Sequence, residues 1–156
     1  MYERLCHAVM RGAEMIAGAL FFAMICAVAL QVIARNILAI PILWTSDVAQ
    51  LMFAWLIFVG AAIGLRQGAH YFVDLWPEGN GTARRAITWF GLIVSVVVVF
   101  ILVVNGWALA MARARGEIQS LGISRMWLYL PIPVSGVMMA LFLVELALKQ
   151  WRGETV

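Results

Sequence analysis

Long uncharged stretches dominate the pattern of hydrophobic and polar positions along this chain. Four of them, residues 15–34, 48–65, 86–112 and 126–144, are separated by short segments that contain charged residues. About 20 apolar residues in a helix cross the ~30 Å hydrocarbon layer of a bilayer. Within that layer, a single segment can form all its backbone hydrogen bonds internally only as a helix. The pattern therefore predicts an all-α integral membrane protein. We expect a single membrane domain over residues 1–156, with spans at about 13–35, 46–66, 85–112 and 126–148.

The same pattern disfavours two other classes of chain. Transmembrane β-barrels are built from segments of about 10 residues with alternating hydrophobicity, and no such alternation occurs here. A secretory signal has an apolar core of about 7–15 residues, whereas the first run, which follows Arg4 and Arg11, is about 20 residues long. We therefore interpret the first run as a retained membrane helix.

A polar interruption between the second and third runs, residues 66–78, has the sequence RQGAHYFVDLWPE. On a helical wheel its large apolar side chains share one face, while His70 and Asp74, four residues apart, share the other. Two side chains are fewer than the three or four ligands that zinc needs, and no nucleophile lies near the pair for catalysis. The segment is predicted to be a short amphipathic connector that lies in the membrane interface.

The distribution of Lys and Arg predicts the orientation. Seven lie at the N-terminus, the second loop and the C-terminus, and four lie in the first and third loops. Because cytoplasmic segments carry an excess of Lys and Arg, both termini are predicted to face the cytoplasm. Three of the four on the predicted outer side, Arg113, Arg115 and Arg125, lie in the third loop. Either the topology is reversed, or these arginines dock an acidic external partner.

Composition narrows the class of protein further. Hydrophobic residues make up 65% of the chain and charged residues 12%, whereas soluble domains are about a quarter charged. The net charge of +3 is spread over the ends of the apolar runs, which does not suggest a nucleic-acid surface. Cys6 lies before the first apolar run and Cys26 lies within it, so a disulfide between them is not expected.

The second span begins with the sequence WTSDVAQLMFAW. Thr45 or Ser46 is expected to cap this helix, and Asp47 in the first turn complements the helix dipole. Small and polar residues then recur at helical spacing, a pattern that lets another helix of this chain or of a partner approach closely. This stripe consists of Asp47, Gln50, Ala54, Ile57, Ala61 and Gly64, with Gly60, Ala62 and Gly68 close by.

Ionisable residues are scarce inside the spans, where they usually mark ion or substrate paths. Glu14 lies at the edge of the first helix, and Glu145 lies four residues before Lys149. We expect Glu145 and Lys149 to form an ion pair along their helix. The chain is thus poorly equipped to carry a substrate alone, and nothing in it indicates an enzyme.

Several segments, in order along most of the chain, resemble the small membrane subunit of tripartite ATP-independent periplasmic (TRAP) transporters, the DctQ-like family. They are Trp44 and Asp47, Trp55 followed by FVGAAIGLRQGAHYFVDLWP, and the ending YLPIPVSGVMMALFLVELAL. That family often has an acidic pair after the first tryptophan and an arginine one turn later. Here these positions are Ser46, Asp47 and Gln50, so only Asp47 carries a charge.

The resemblance implies a multi-pass protein of the bacterial inner membrane with two protein partners and no cofactor of its own. A large membrane subunit would carry sodium and the substrate, usually an organic acid, and a periplasmic substrate-binding protein would deliver that substrate. This chain would scaffold the large subunit and help to dock the binding protein. The candidate partner-interface residues are Trp44, Asp47, Gln50, Trp55, Gly60, Gly64, His70 and Asp74, and the candidate docking residues are Arg113, Arg115 and Arg125.

Two alternatives remain open from the residues alone. A self-sufficient four-helix proton-coupled exporter would need a carboxylate within the first span, for which Glu14 is the candidate. A membrane redox protein would need axial histidines or paired cysteines within spans, whereas His7 and His70 lie outside them.

Overall fold

The computed structural model describes residues 2–40, 42–67 and 81–151. Four helical stretches are long and apolar enough to cross a membrane, namely Cys6–Asn36, Trp44–Arg66, Phe90–Ala112 and Met126–Leu148. This confirms the predicted all-α fold with four membrane helices. The predicted amphipathic connector, with His70 and Asp74, lies outside the described residues.

Five helices make up these stretches. They are α1 (Tyr2–Asn36), α2 (Trp44–Arg66), α3 (Gly81–Ala112), the single turn α4 (Met126–Tyr129) and α5 (Pro131–Trp151). α1 is 35 residues long and begins well before the apolar run that starts at residue 15. Its first turns therefore include charged residues, among them the exposed Arg11 and Glu14.

Two prolines explain why the fourth span is divided into α4 and α5. Pro131 and Pro133 have no N–H to donate, and both lie in the first turn of α5, where backbone N–H groups have no acceptor within the helix. Leu130 N donates to Met126 O at 2.9 Å, and Val134 N donates to Leu130 O at 3.3 Å. The path of the fourth span thus stays continuous across the break.

The membrane helices form an open layer in which α2 and α5 pack together at the centre. α1 packs mainly on α2, and α3 packs mainly on α5. The fourth span, Met126–Leu148, is the most enclosed, with 44% of its apolar stretch buried against 6% for the first span. Large side chains on the outer faces, such as Phe22 and Phe100, are exposed. Because lipid tails are as apolar as leucine, a bilayer solvates these faces without penalty.

The hydrophobic core lies where the start of α1 meets the end of α2. Phe142 and Leu143 of α5 pack with Ala62 and Leu65 of α2, and all four are buried. The remaining buried members are Cys6, Met10, Leu92, Val99 and Met139. The core therefore joins all four spans.

Two glycines bring α3 and α5 into close contact. A Cβ at Gly136 would lie 2.8 Å from Val103 Cγ2, and one at Gly106 would lie 2.7 Å from Ile132 Cγ2. Distances under 3.0 Å are not tolerated without a shift of the neighbour. These are small residues at a helix interface, as membrane helices prefer.

A small hairpin between α3 and α4 contains the only strands among the described residues. β1 (Glu117–Ile118) pairs antiparallel with β2 (Ile123–Ser124). The turn contains Gly122, whose φ of +63° is favourable only for glycine-like residues. The sequence pattern did not predict this hairpin, because two residues per strand are too few to show alternation.

Candidate functional site

The candidate residues occupy the two ends of the helix layer. We call the end where α2 begins the outer end and the end where α2 terminates the inner end, in accordance with the predicted topology. The hairpin lies at the outer end, and the start of α1 lies at the inner end. The orientation itself stays a prediction.

Hydrogen bonds join the hairpin to the residues that follow α3 and to the residue that precedes α4. Ser124 Oγ donates to Ala114 O at 2.7 Å, and Arg125 N donates to Gly116 O at 2.7 Å. The side chain of Arg125 donates from Nε to Glu117 O at 3.2 Å. The loop that carries the three candidate docking arginines is therefore an ordered cap on the outer end.

Asp47 connects this cap to α2. The hydroxyl of Ser120, at the hairpin turn, donates to Asp47 Oδ2. One residue earlier, Ser46 Oγ accepts a hydrogen bond of 2.7 Å from Gln31 Nε2 of α1. Polar residues of the second span's first turn thus tie the start of α2 to α1 and to the hairpin.

The expected cap of α2 by Thr45 or Ser46 is wrong. The N-cap residue is Leu43, and no side chain caps the helix there. The hydroxyl of Thr45 instead donates to Ile42 O at 2.9 Å, and the residue is fully buried. The helix begins at Trp44, two or three residues earlier than that prediction requires, so Thr45 already lies within the first turn.

The two candidate tryptophans have different surroundings. Trp55 Nε1 donates to Trp127 O at 3.1 Å, which links α2 to α4. Trp44 begins α2 and is 44% exposed. Trp44 is thus available to a partner, whereas the indole N–H of Trp55 is already used within the chain.

One face of α2 is left uncovered by the described residues along most of its length. We call it the open face of α2 and define it by Gln50, Phe53, Ile57, Gly60 and Gly64, which recur every three or four residues. A Cβ added at Gly60 or Gly64 would have no described atom within 4 Å.

The predicted stripe and the open face only partly coincide. Asp47 bonds to the hairpin, and Ala61 packs against the core. The face that lacks a neighbour in the described fold is therefore centred on Ile57, Gly60 and Gly64.

The three candidate docking arginines lie at the outer end. Arg113 and Arg125 also take part in the hydrogen bonds of the hairpin loop. Arg113 directly follows α3, Arg115 lies before the hairpin and Arg125 follows it. Two carboxylates belong to the same end. Glu117 lies in the hairpin, and Asp47 accepts a hydrogen bond from Ser120 of the hairpin turn. The cap therefore carries more positive than negative charge.

An ion pair that sequence reasoning missed joins α2 to α5 at the inner end. Arg66 donates from Nε to Glu145 Oε2 at 3.0 Å and from Nη2 to Oε1 at 3.2 Å. The two side chains are only 11% and 5% exposed. The Arg66 guanidinium also lies 5.3 Å from the ring centroid of Phe142.

Glu145 thus forms a bidentate pair between helices, and its expected pairing with Lys149 stays a prediction. The side chain of Lys149 is outside what the structure describes. A pair along one helix follows from spacing, whereas a pair between α2 and α5 follows only from knowing that these helices are neighbours.

Glu14 lies at the inner end, where it is exposed in the first turns of α1. It lines a cleft together with His7, Arg11, Arg66, Gln67 and Glu145. In the part of the chain that the structure describes, no three His, Cys, Asp or Glu side chains lie close enough to hold a metal ion.

Comparison with known proteins places the chain in a family. Residues 24–153 match the family described as "Tripartite ATP-independent periplasmic transporters, DctQ component". The sialic acid TRAP transporter small permease protein SiaQ of Vibrio cholerae serotype O1 is 32% identical over 130 residues, which cover 81% of this chain and 73% of that protein.

A second relative is much longer. The sialic acid TRAP transporter permease protein SiaT of Haemophilus influenzae is 27% identical over 131 residues, which cover 81% of this chain but only 21% of that protein. The chain thus spans about a fifth of the length of this relative. With four apolar spans, a match over most of its length and a small permease relative at 32% identity, the chain belongs to the DctQ family of TRAP transporter components.

Proposed function

We propose that the chain scaffolds the large membrane subunit of a TRAP transporter through the open face of α2. The observation that carries this proposal is the pair Gly60 and Gly64, whose surroundings are empty in the described fold. Membrane helices associate closely through such small residues. The Haemophilus influenzae relative supports the choice of partner, because there the matching segment is a fifth of one long permease chain.

The second part of the proposal is that the outer cap helps to dock a periplasmic substrate-binding protein. Arg113, Arg115 and Arg125 belong to an ordered loop, which limits the entropy lost on binding. Charges of one sign at a surface favour encounter with a partner of opposite charge. The expected partner surface is therefore acidic.

We assign the sodium ion and the substrate to the large subunit. In the described fold, Glu145 of the spans is held by Arg66, and Asp47 accepts from Ser120. The substrate class that we propose is an organic acid. The two relatives support it, since both are named as sialic acid transporters.

The scaffold role is tested by filling the open face. Gly60→Leu with Gly64→Leu adds two branched side chains where we expect a partner helix to approach. Overpacking of a close interface costs about 1–3 kcal/mol, so about tenfold less large subunit should co-purify with the variant. The measurement is quantitative co-purification from membranes in mild detergent.

A matched control is Gly12→Leu, since Gly12 of α1 also has no described atom within 4 Å of an added Cβ. This variant should keep the large subunit at the wild-type level. Retention of the large subunit by the Gly60 and Gly64 variant would contradict the proposed interface.

The docking role is tested by charge reversal at the outer cap. Arg113→Glu with Arg115→Glu should slow uptake at a limiting concentration of binding protein, because the steering charge changes sign. Co-purification of the large subunit should not change. The control is Arg35→Glu, which changes an exposed arginine at the end of α1. Equal uptake by the wild type, the Arg113 and Arg115 variant and the control would refute docking through this loop.

A further inference from the structure

A cleft of about 410 Å³ opens at the inner end, between the first turns of α1 and the ends of α2 and α5. This volume lies within the range of about 300–1,000 Å³ that is typical of small-molecule sites. Six polar side chains line the cleft: His7, Arg11, Glu14, Arg66, Gln67 and Glu145. The scaffold and docking roles use none of them.

The charges in the cleft are balanced. Arg66 is bound by Glu145 at 3.0 Å, whereas Arg11 and Glu14 are exposed and make no ion pair with any side chain in the described ranges. These two residues are three apart on α1, so they lie on the same face of the helix. A cleft of this kind does not select a plain anion or a plain cation. It complements a ligand that carries both charges close together.

An apolar track continues from the cleft along the same face of α1. Gly18, Phe21 and Ile25 follow Glu14 at steps of three or four residues, and all three are exposed. Glu14 and Ile25 are eleven residues apart, which is about 16 Å along a helix. This is close to the ~15 Å thickness of one leaflet of the hydrocarbon layer. This face of α1 is therefore charged at one end and apolar over the depth of one leaflet, like a lipid molecule.

We infer that the cleft and this track bind a phospholipid with a zwitterionic primary-amine headgroup, the phosphatidylethanolamine class. Arg11 donates to the phosphate, and Glu14 accepts from the ammonium. One acyl chain lies along Gly18, Phe21 and Ile25. The carboxylates at the rim disfavour a purely anionic headgroup, and a quaternary ammonium has no N–H to donate to Glu14. The inference is independent of the proposed scaffold and docking roles.

The experiment is native mass spectrometry of the full chain after delipidation and addition of defined lipids. The probes share the same acyl chains and have phosphatidylethanolamine, phosphatidylcholine or phosphatidylglycerol headgroups. We expect one phosphatidylethanolamine to be retained, with the other two bound about tenfold more weakly, as for the loss of one charge-assisted hydrogen bond. Equal retention of the three lipids would overturn the inference.

The test variant is Arg11→Gln with Glu14→Gln, which removes both charges of the headgroup site. Its retention of phosphatidylethanolamine should fall about tenfold, with an unchanged far-UV circular dichroism spectrum and elution volume. The matched control is Arg113→Gln with Glu117→Gln, a pair of the same charges at the outer end, which should retain the lipid. Unchanged retention in the Arg11 and Glu14 variant would overturn the inference.

Two further arms exclude other ligands. Soluble glycerophosphoethanolamine carries the headgroup without acyl chains and should not displace the lipid at equal concentration; displacement would show that the track does not contribute and would overturn the inference. If the Arg11 and Glu14 variant keeps the lipid but loses the large subunit, the cleft is a protein interface and the inference is overturned.

Discussion

At the scale of single residues, Arg66 and Glu145 form a bidentate ion pair between α2 and α5. Both side chains are almost buried, and two hydrogen bonds join them. Burial of two charges is costly, so the net stability gained from such a pair is small. The pair joins α2 and α5 near their inner ends.

Loss of one partner of this pair should be severe. Glu145→Ala leaves the Arg66 guanidinium buried without its carboxylate, which costs about 3–5 kcal/mol. We expect a lower midpoint of thermal unfolding for the full chain in detergent. The exchange variant, Arg66→Glu with Glu145→Arg, restores opposite charges and should recover part of the loss. An exchange variant no more stable than Glu145→Ala would show that mutual attraction does not hold the pair.

Among the helices, glycines have two distinct roles in this fold. Gly106 and Gly136 allow α3 and α5 to approach closely, whereas Gly60 and Gly64 lie where no described neighbour is present. The same residue type therefore marks an internal interface between α3 and α5 and a surface without a described neighbour on α2. Only the packing of the helices separates the two roles.

This difference predicts opposite outcomes for the same substitution. Gly136→Ala places a Cβ 2.8 Å from Val103 Cγ2 and 3.3 Å from Val103 N, and it should destabilise the chain by about 1–3 kcal/mol. Gly60→Ala should be neutral or stabilising by up to about 1 kcal/mol, because alanine is the better helix former. Thermal unfolding of the isolated chain measures both. Equal effects of the two substitutions would contradict the packing of α3 on α5.

Taken as a whole molecule, the chain is a multi-pass inner-membrane component of a TRAP transporter and not an enzyme. Its core is concentrated at the inner end, where all four spans contribute, and its outer end is closed by the hairpin cap. The α2 and α5 pair is central, and α1 and α3 are peripheral. An open layer of this kind leaves long helix faces for lipid and for a partner.

The spans could be predicted from the sequence because an uncharged run of about 20 residues has few other stable forms in a membrane protein. The contacts between spans could not be predicted. Arg66 and Glu145 are 79 residues apart, and nothing in their local sequence indicates that α2 and α5 are neighbours. For the same reason, the pair of Arg66 and Glu145 was not predicted, and the glycines of α3 and α5 were not singled out.

The candidate site was only partly predictable. Asp47 and the outer arginines were found by their position at span ends, but the bond from Ser120 to Asp47 depends on a hairpin too short to show a pattern. The predicted stripe lies on α2, and the face of α2 that lacks a described neighbour is rotated from it toward Phe53 and Gly60. That rotation follows from the packing of Ala61 against the core.

Contact between the open face of α2 and a larger membrane subunit underlies the proposed function. A photo-crosslinking side chain at position 60, compared with one at the exposed position 97 of α3, probes this contact in intact cells. We expect position 60 to form a covalent adduct with a much larger membrane protein, and position 97 to form none. Absence of an adduct from position 60, or equal yields from the two positions, would rule out the open face as the contact surface.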